Sequence, residues 1–454
     1  MAGRLTALTV ATGLIGALAV ACGSGTDNSD SSSFDPNNCT GGTLKVLEQG
    51  SISQLDPARL YTSGGGREPT LLFRTLTTRT RKPGPDGTKV AADLATDTGT
   101  PNADATVWTY HLRDGLKFDD GTPITSADVK YGIERSFSAD LPGGAPYLHD
   151  WLIGGDTYRG PYKDPKGLAS IETPDAKTIV FHLKSPHGDF PYLATATQFA
   201  PVPKAKDTGT NYTNAPVSSG PYKVKSYEKS KSLVLVRNPY WSRSLDPNRL
   251  ACPDEIDITS SLDPAVINQR LTTGSGDDAN AITTDTPPGP DELAKLANDP
   301  NLAKQLAKGR FADTHYLAFD TTKAPFNNVN VREALSYAVD RGSLVNAAGG
   351  SALAYPATTW LPNNPGFGYQ QYDYFPAGDH GNPSKAKELL AQAGYPHGLT
   401  ITLGYRSNDS NADGPAVATA VQDAFKKAGI TVNLQSIEDD NYSTTVDNPA
   451  TQPQ

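Results

Sequence analysis

The stretch Leu399–Leu434, LTITLGYRSNDSNADGPAVATAVQDAFKKAGITVNL, decides the fold class. Leu399, Ile401 and Leu403 alternate with other residues at the period of a strand. Val417, Val421 and Phe425 then recur at the spacing of one helix face, and Gly429 ends that helix. Ile430, Val432 and Leu434 restore the alternation. Strand, helix, strand is a βαβ unit, whose strands are parallel and whose crossover is right-handed. The fold is therefore read as mixed α/β. In open α/β sheets, ligands bind beyond the carboxyl ends of the strands. Arg406 stands just past the 399–405 strand and opens a polar, flexible loop, Ser407 to Gly414. A guanidinium there suits a carboxylate taken through two parallel hydrogen bonds; the alternative is a solvated loop arginine.

Moving towards the amino terminus, Arg332–Leu344 reads as one helix, with Val331, Leu335 and Val339 on a face. Asn382 caps a second helix that carries Pro383 in its first turn and Gly394 at its end. Thr43–Leu47, Ile179–Leu183 and Ser232–Val236 read as strands, and a helix around Leu71, Leu72 and Leu76 follows the glycines 64–66. Trp108, Tyr110 and Leu112 alternate with polar residues, so Thr106–Phe118 is expected to form a hairpin turning at Asp114-Gly115. Thr125 with Asp128 makes a capping box for a helix bearing Val129, Ile133 and Phe137.

The composition is that of a soluble globular protein, with 37% hydrophobic and 20% charged residues in 454. That length allows for about two or three domains. A net charge of −9 supplies no phosphate-neutralising field, which excludes a nucleic-acid partner. Residues 1–21 read as a signal peptide: Arg4 precedes an uncharged apolar run from Leu5 to Ala21 that is short for a spanning helix. Ala19, Val20 and Ala21 lead into Cys22, which resembles the lipobox of bacterial lipoproteins, although the usual leucine is one place early, at Leu18. Cys22 is thus the expected lipidation site, and 22–40 a flexible tether that anchors the chain to the outer face of the cell membrane. An incidental cysteine after a plain signal peptide is the alternative. Cys39 and Cys252 form an even pair in an exported chain and are disulfide candidates, with two buried thiols as the alternative. No CxxC motif or Cys/His cluster suggests a metal, and no cofactor is expected.

Four strings, in order, then match a known family. WTYHLRDGLKFDDGTPITSADVKYGIERS (Trp108–Ser136) resembles the hallmark segment of family 5 extracellular solute-binding proteins, the dipeptide, oligopeptide and nickel receptors of ABC importers. SSGPYKV (Ser218–Val224) followed by RNPYW (Arg237–Trp241), APFNNVNVREALSYAVDR (Ala324–Arg341) and GGTLKV (Gly41–Val46) are similar to further family segments. The resemblance implies a two-lobed, periplasmic-binding-protein-like type II fold with an extra domain inserted in the first lobe. Residues 41–60 and 200–260 would be lobe one, 61–199 the insertion, and 261–454 lobe two. It further implies that Arg406 takes a peptide carboxylate, and that Ser51, Ile52, Tyr61, Gln198 and Phe199 edge the pocket, with core packing as the alternative for Phe199. Family members usually continue past this point with a tract resembling GW..D..D that carries an ammonium-binding aspartate, so lobe two is read as incomplete at its carboxyl end.

The expected function is therefore capture of di- or oligopeptides by lobe closure, as a monomer that feeds an ABC permease and ATPase. Alternatives are another solute, such as a nickel complex, an opine or a sugar, or a sensing role. An exported hydrolase is disfavoured and no catalytic residue is assigned. GxSxG and HExxH are absent, and the SxxK match at Ser226–Lys229 falls in a strand without KTG or SDN.

Overall fold

The computed structural model describes residues 39–453, other than 62–66, 83, 308, 310–312, 364–367, 408–413 and 447. The signal peptide, Cys22 and the tether up to residue 38 lie outside the described residues, as do the glycines 64–66 and the interior of the loop after Arg406. The strands are, in order, β1 (Thr43–Leu47), β2 (Thr77–Arg79), β3 (Val90–Ala92), β4 (Thr100–Pro101), β5 (Val107–His111) and β6 (Ile171–Glu172), then β7 (Thr178–His182), β8 (Tyr222–Glu228), β9 (Ser232–Arg237), β10 (Glu255–Thr259), β11 (Leu399–Arg406) and β12 (Ile430–Ile437).

One sheet has the order β1-β10-β9-β8. Its first pair is parallel, with Val46 opposite Ile258, and the others are antiparallel, with Ile258 opposite Leu233. The period of two puts Val46, Ile258 and Leu233 on one buried face, packed with Leu55, Phe73 and Tyr222. Ile282 bridges Val46 on the open edge of β1, so the chain still runs beside this sheet at that residue. A second sheet, β4-β5-β7-β6, carries an aromatic core. Trp108 lies opposite Phe181, and Phe190 sits 6.0 Å from Trp108 and 5.1 Å from Phe181 between ring centroids. A separate apolar core lies around β11 and β12, which run parallel from Leu399↔Ile430 to Arg406↔Ile437. Helices Val329–Ala338, Pro383–Gln392 and Pro415–Lys427 bury Leu335, Leu389, Leu390, Val421 and Phe425 against it.

Local signals are met at several points. The Thr125–Asp128 capping box opens the helix Ser126–Arg135, with the Thr125 N–H donating to Asp128 Oδ2 at 2.8 Å. Asn382 accepts from the Lys385 N–H at 3.0 Å. Two expectations need correction. Thr106–Phe118 is not a hairpin, because β5 takes β4 and β7 as partners. That pairing buries Trp108 and Tyr110 against Phe181 and Phe190, an aromatic face that Leu116–Phe118 could not supply. The tight turn comes later, where Phe118 N–H donates to Thr122 O at 2.9 Å and Ile124 N–H to Leu116 O at 3.0 Å. Nor is Arg332–Leu344 one helix. Val339 turns extended, and Asp340 caps a new helix, Arg341–Ala347, by accepting from the Ser343 N–H at 2.9 Å.

Two buried ion networks join the chain before residue 200 to the chain after it. Arg135, wholly buried, grips Asp56 with two parallel hydrogen bonds of 2.7 and 2.8 Å and lies 3.1 Å from Asp207. Arg74 and Arg249 flank Asp93 at 2.7 and 2.8 Å, while Arg249 also meets Asp246 at 3.0 Å. Burial alone would raise the Asp93 pKa, but the charges of Arg249 and Arg74 hold it below its ordinary value. A carboxylate whose folded pKa is depressed stabilises the fold fully above its unfolded value of 3.8, and loses that contribution as pH falls through the folded value. Asp93→Asn is expected to cost about 3–5 kcal/mol at neutral pH, because it leaves two buried arginines short of a counter-charge. Urea unfolding should show this loss, and the variant's stability should fall less steeply than the wild type's between about pH 5 and 3.

Candidate functional site

The candidate residues lie in the chain after β1, around residue 198 and at the carboxyl end of β11 in a different sheet, strand ends of the kind beyond which α/β sheets bind ligands. After β1 the chain is pinned by a residue that sequence reasoning missed. Asp285 accepts the Gln49 and Gly50 N–H groups at 3.2 and 2.8 Å. A Cβ on Gly50 would stand 3.0 Å from that carboxylate, so glycine lets the backbone come this close. Ser51, half-buried, donates its hydroxyl to Ser230 Oγ at 2.7 Å. Ile52 is buried in the core of the first sheet, and its carbonyl accepts the Tyr227 hydroxyl at 2.8 Å. Both are held by the β8–β9 hairpin.

Asp56 next caps the short turn Pro57–Arg59, accepting from the Ala58 N–H at 3.0 Å. The Leu60 carbonyl then takes the Thr197 hydroxyl at 2.9 Å, which brings Tyr61 and Gln198 into one neighbourhood. Gln198 is buried, with Nε2 donating to the Ala145 carbonyl at 3.4 Å and Oε1 without a partner among the described residues. Phe199 is fully buried and packs on Phe181 and Phe190, which is core packing. Tyr61 is 51% exposed. Its hydroxyl and that of Tyr147 are 2.7 Å apart, with the rings edge to face at 5.9 Å. Burial first, and then the hydrogen bond with Tyr147, push the Tyr61 phenol up to about 12. The phenol of Tyr316 adds a smaller upward push. Tyr316 in turn meets Trp360 edge to face at 4.5 Å.

Arg406 is the last residue of β11 and is half-buried; its guanidinium carbon lies 4.0 Å from the ring centre of Tyr442. The ring backs the guanidinium plane by cation–π contact. Cys39 and Cys252 are both disulfide-bonded. A cavity of about 350 Å³ lies elsewhere, lined by Thr40, Pro221, Arg237, Trp241 and Arg243. Its arginines are already engaged, Arg237 with Asp254 at 2.9 Å and Arg243 with the Leu250 carbonyl at 2.6 Å. Among the described residues no cluster of three or more His, Cys, Asp or Glu could hold a metal ion, and no helix is long and apolar enough to cross a membrane.

With this geometry in place, comparison with known proteins is decisive. Residues 89–452 match the model of the bacterial extracellular solute-binding proteins, family 5. The chain belongs to this family. It is 30% identical over 369 residues to the periplasmic oligopeptide-binding protein OppA of Salmonella typhimurium, covering 74% of this chain and 61% of that one. Heme-binding protein A of Haemophilus influenzae is 30% identical over 361 residues, covering 75% and 60%. The chain thus spans about three fifths of the length of these curated relatives. Among solved structures, the clavulanic acid biosynthesis oligopeptide binding protein 2 superposes with a TM-score of 0.75 at 36% identity, covering 89% of this chain and 72% of that one. The family 5 chain therefore has the α/β, two-lobed, periplasmic-binding-protein-like type II fold expected of it. The family and these relatives are binding proteins, and the family is extracellular.

Tyr61 and Gln198 lie outside the quoted family strings and were assigned only by a loose match to the edge of the family's pocket. Tyr147, Tyr316 and Trp360 sit in loops or a one-turn helix with no periodicity to mark them. Phe199→Leu is expected to lower stability by about 1–3 kcal/mol in urea unfolding, as a shape change in a packed core does. It should leave the affinity for any captured solute within about twofold, as expected of a residue that supports the wall from behind.

Proposed function

We propose that the protein is the extracytoplasmic substrate-binding component of an ABC importer, capturing di- or oligopeptides between its lobes and presenting them to a permease and ATPase. The observation that carries this is Arg406: a guanidinium at the carboxyl end of a parallel strand, its plane backed by Tyr442, in a family of solute-binding proteins. A guanidinium suits a terminal carboxylate, which two parallel hydrogen bonds would hold. Peptide is favoured as the solute because OppA and the clavulanic acid oligopeptide binding protein carry that ligand class in their names. On this reading residues 41–60 and 200–260 form lobe one with 61–199 inserted, and residues 261–454 form lobe two. Capture works by lobe closure: a solute touching both lobes stabilises the closed state by its differential affinity. Cys22 serves as the lipid attachment site, the binding unit acts as a monomer, and the protein transforms nothing.

A thermal-shift screen with short peptides tests this reading. Binding to the native state alone raises stability by about 2.7 kcal/mol at a hundredfold excess over Kd. Arg406→Ala is expected to abolish the shift given by free-carboxylate peptides and to spare that of carboxamide peptides. Arg406→Lys should recover only part of it, since an ammonium keeps the charge without the planar fork. Equal shifts in wild type and Arg406→Ala would remove Arg406 from the site.

A further inference from the structure

Among the described residues, four other than glycine hold a left-handed backbone: Ala105, Ser230, Ala251 and Ser261. Two of the four converge on one loop. Ser261, with φ at 60°, donates its N–H to the Gly50 carbonyl at 3.0 Å, and Ser230, with φ at 57°, donates its N–H to the Ile52 carbonyl at 3.0 Å. Their side chains draw the same knot tighter. The Ser261 hydroxyl donates to the Ser230 carbonyl at 2.8 Å, and the Ser51 hydroxyl donates to Ser230 Oγ at 2.7 Å. Asp285 makes the third hold, through the Gln49 and Gly50 N–H groups. The segment that carries it lies along the open edge of β1, where the Ile282 N–H donates to the Lys45 carbonyl at 3.0 Å and the Leu47 N–H to the Ile282 carbonyl at 2.8 Å. Thr283 and Thr286 donate their hydroxyls to one Asp285 oxygen, at 3.3 and 2.9 Å, and so fix the carboxylate that does the holding.

We infer that Asp285 is a positioning residue for solute capture: it latches the strained loop 49–52 in one shape, and that shape sets the affinity of the site. The inference rests on the peptide-capture reading above. A residue with a Cβ enters the left-handed region at a cost, which persists only where its surroundings over-determine the backbone. A glycine at either position would hold the same φ without that cost. Serine instead adds hydroxyl ties, so strain is kept where it makes the loop more rigid. Strain of this kind gathers at ligand clamps. The loop also leaves the carboxyl end of β1, and α/β sheets bind ligands beyond such strand ends. Among the described residues every partner of the Asp285 carboxylate is an N–H or a hydroxyl, so what it contributes is placement rather than ion pairing. A loop already in its binding shape loses little freedom when the solute arrives. Released, and in that shape about one-tenth of the time, it would bind about tenfold more weakly, since apparent affinity scales with the competent fraction.

The test is isothermal titration of the purified protein in the cold with alanine tripeptides and pentapeptides in which Phe, Leu, Lys or Glu is scanned through every position, with Tm measured alongside. Asp285→Ala is expected to bind the best wild-type peptide about tenfold more weakly at a temperature where it is fully folded. Asp285→Asn keeps an oxygen for the Gly50 N–H, the shorter of the two bonds, and should stay within about threefold of wild type. An Asp285→Asn variant as weak as Asp285→Ala would mean that the charge itself acts, and overturns the latch. Ser261→Gly removes both the strain and a hydroxyl tie. It should lose about threefold in affinity with Tm no lower than that of the wild type, a split that a purely structural contact does not give. Affinity within about twofold of wild type in Asp285→Ala, with only Tm reduced, overturns the latch and leaves peptide capture standing. If Asp285→Ala fails to fold, Ser261→Gly decides, and unchanged affinity there overturns the latch. Failure of the wild type to bind any of the peptides overturns peptide capture, and the latch with it.

Discussion

The Arg135–Asp56–Asp207 cluster is the constraint on which the site depends. Taking one guanidinium and two carboxylates out of water costs several kcal/mol per ion, so such a cluster persists only where hydrogen bonds replace the lost hydration. Here they do. Asp56 receives two bonds from Arg135 and one from the Ala58 N–H, and Asp207 receives the hydroxyls of Tyr131 and Tyr162 at 2.8 and 2.7 Å. The Tyr212 ring lies under the guanidinium at 4.6 Å. Burial pushes the Asp207 carboxyl up, and the bond from Tyr162 with the charge of Arg135 more than reverses it. From this point hang the Pro57–Arg59 turn, the Leu60 carbonyl that meets Thr197, and then Tyr61. One end of the candidate site is thus held by an interaction that tolerates little displacement, since a bidentate pair loses its advantage when tilted.

The second core is built differently. Around β11 and β12 the packing is mostly aliphatic, from Ile401, Ile430, Val432 and Val421, with Phe425, Leu335 and Leu389 closing it. Its buried carboxylate, Asp340, is a helix cap first and an ion-pair partner second, meeting Lys427 at 3.2 Å with that lysine side chain 57% exposed. Apolar contact is non-directional, so this body can shift its helices with less loss than a lattice of oriented ions. The contrast bears on the lobe closure proposed above, and under that reading the two bodies would differ in role. Under that proposal the insertion side would fix the geometry, and the β11–β12 side would be the better suited to move.

Much of this was legible in the sequence, and the remainder was hidden for identifiable reasons. The βαβ unit, the capping box at Thr125 and the Asn382 cap are local, and local patterns survive folding. The pairing of β5 was not local: alternation in Trp108, Tyr110 and Leu112 gives a strand but cannot say that its partner, β7, lies some seventy residues onward. The break at Asp340 was masked because Leu335 and Val339 continue a helical spacing that the Asp340 cap interrupts. Arg135 and Glu134 fall outside the apolar repeat of Val129, Ile133 and Phe137, yet both are buried, paired with groups distant in sequence such as Asp56 and the Leu168 N–H. Of the residues assigned from the family, Ser51 and Ile52 carry bonds within the frame, Phe199 is core, and Tyr61 and Arg406 keep exposed or half-buried side chains. Asp285 and Trp360 were out of reach, because an isolated residue in a loop carries no period.

The capture proposed above sets one further condition on the solute. A guanidinium fork rewards any terminal carboxylate and so gives affinity with little discrimination. A solute held by Arg406 alone binds both the open and the closed state alike and shifts nothing between them, however tightly it binds. Under the proposed reading, only a solute that also makes contacts outside the β11–β12 body has the differential affinity that closure requires, so discrimination has to come from those further contacts.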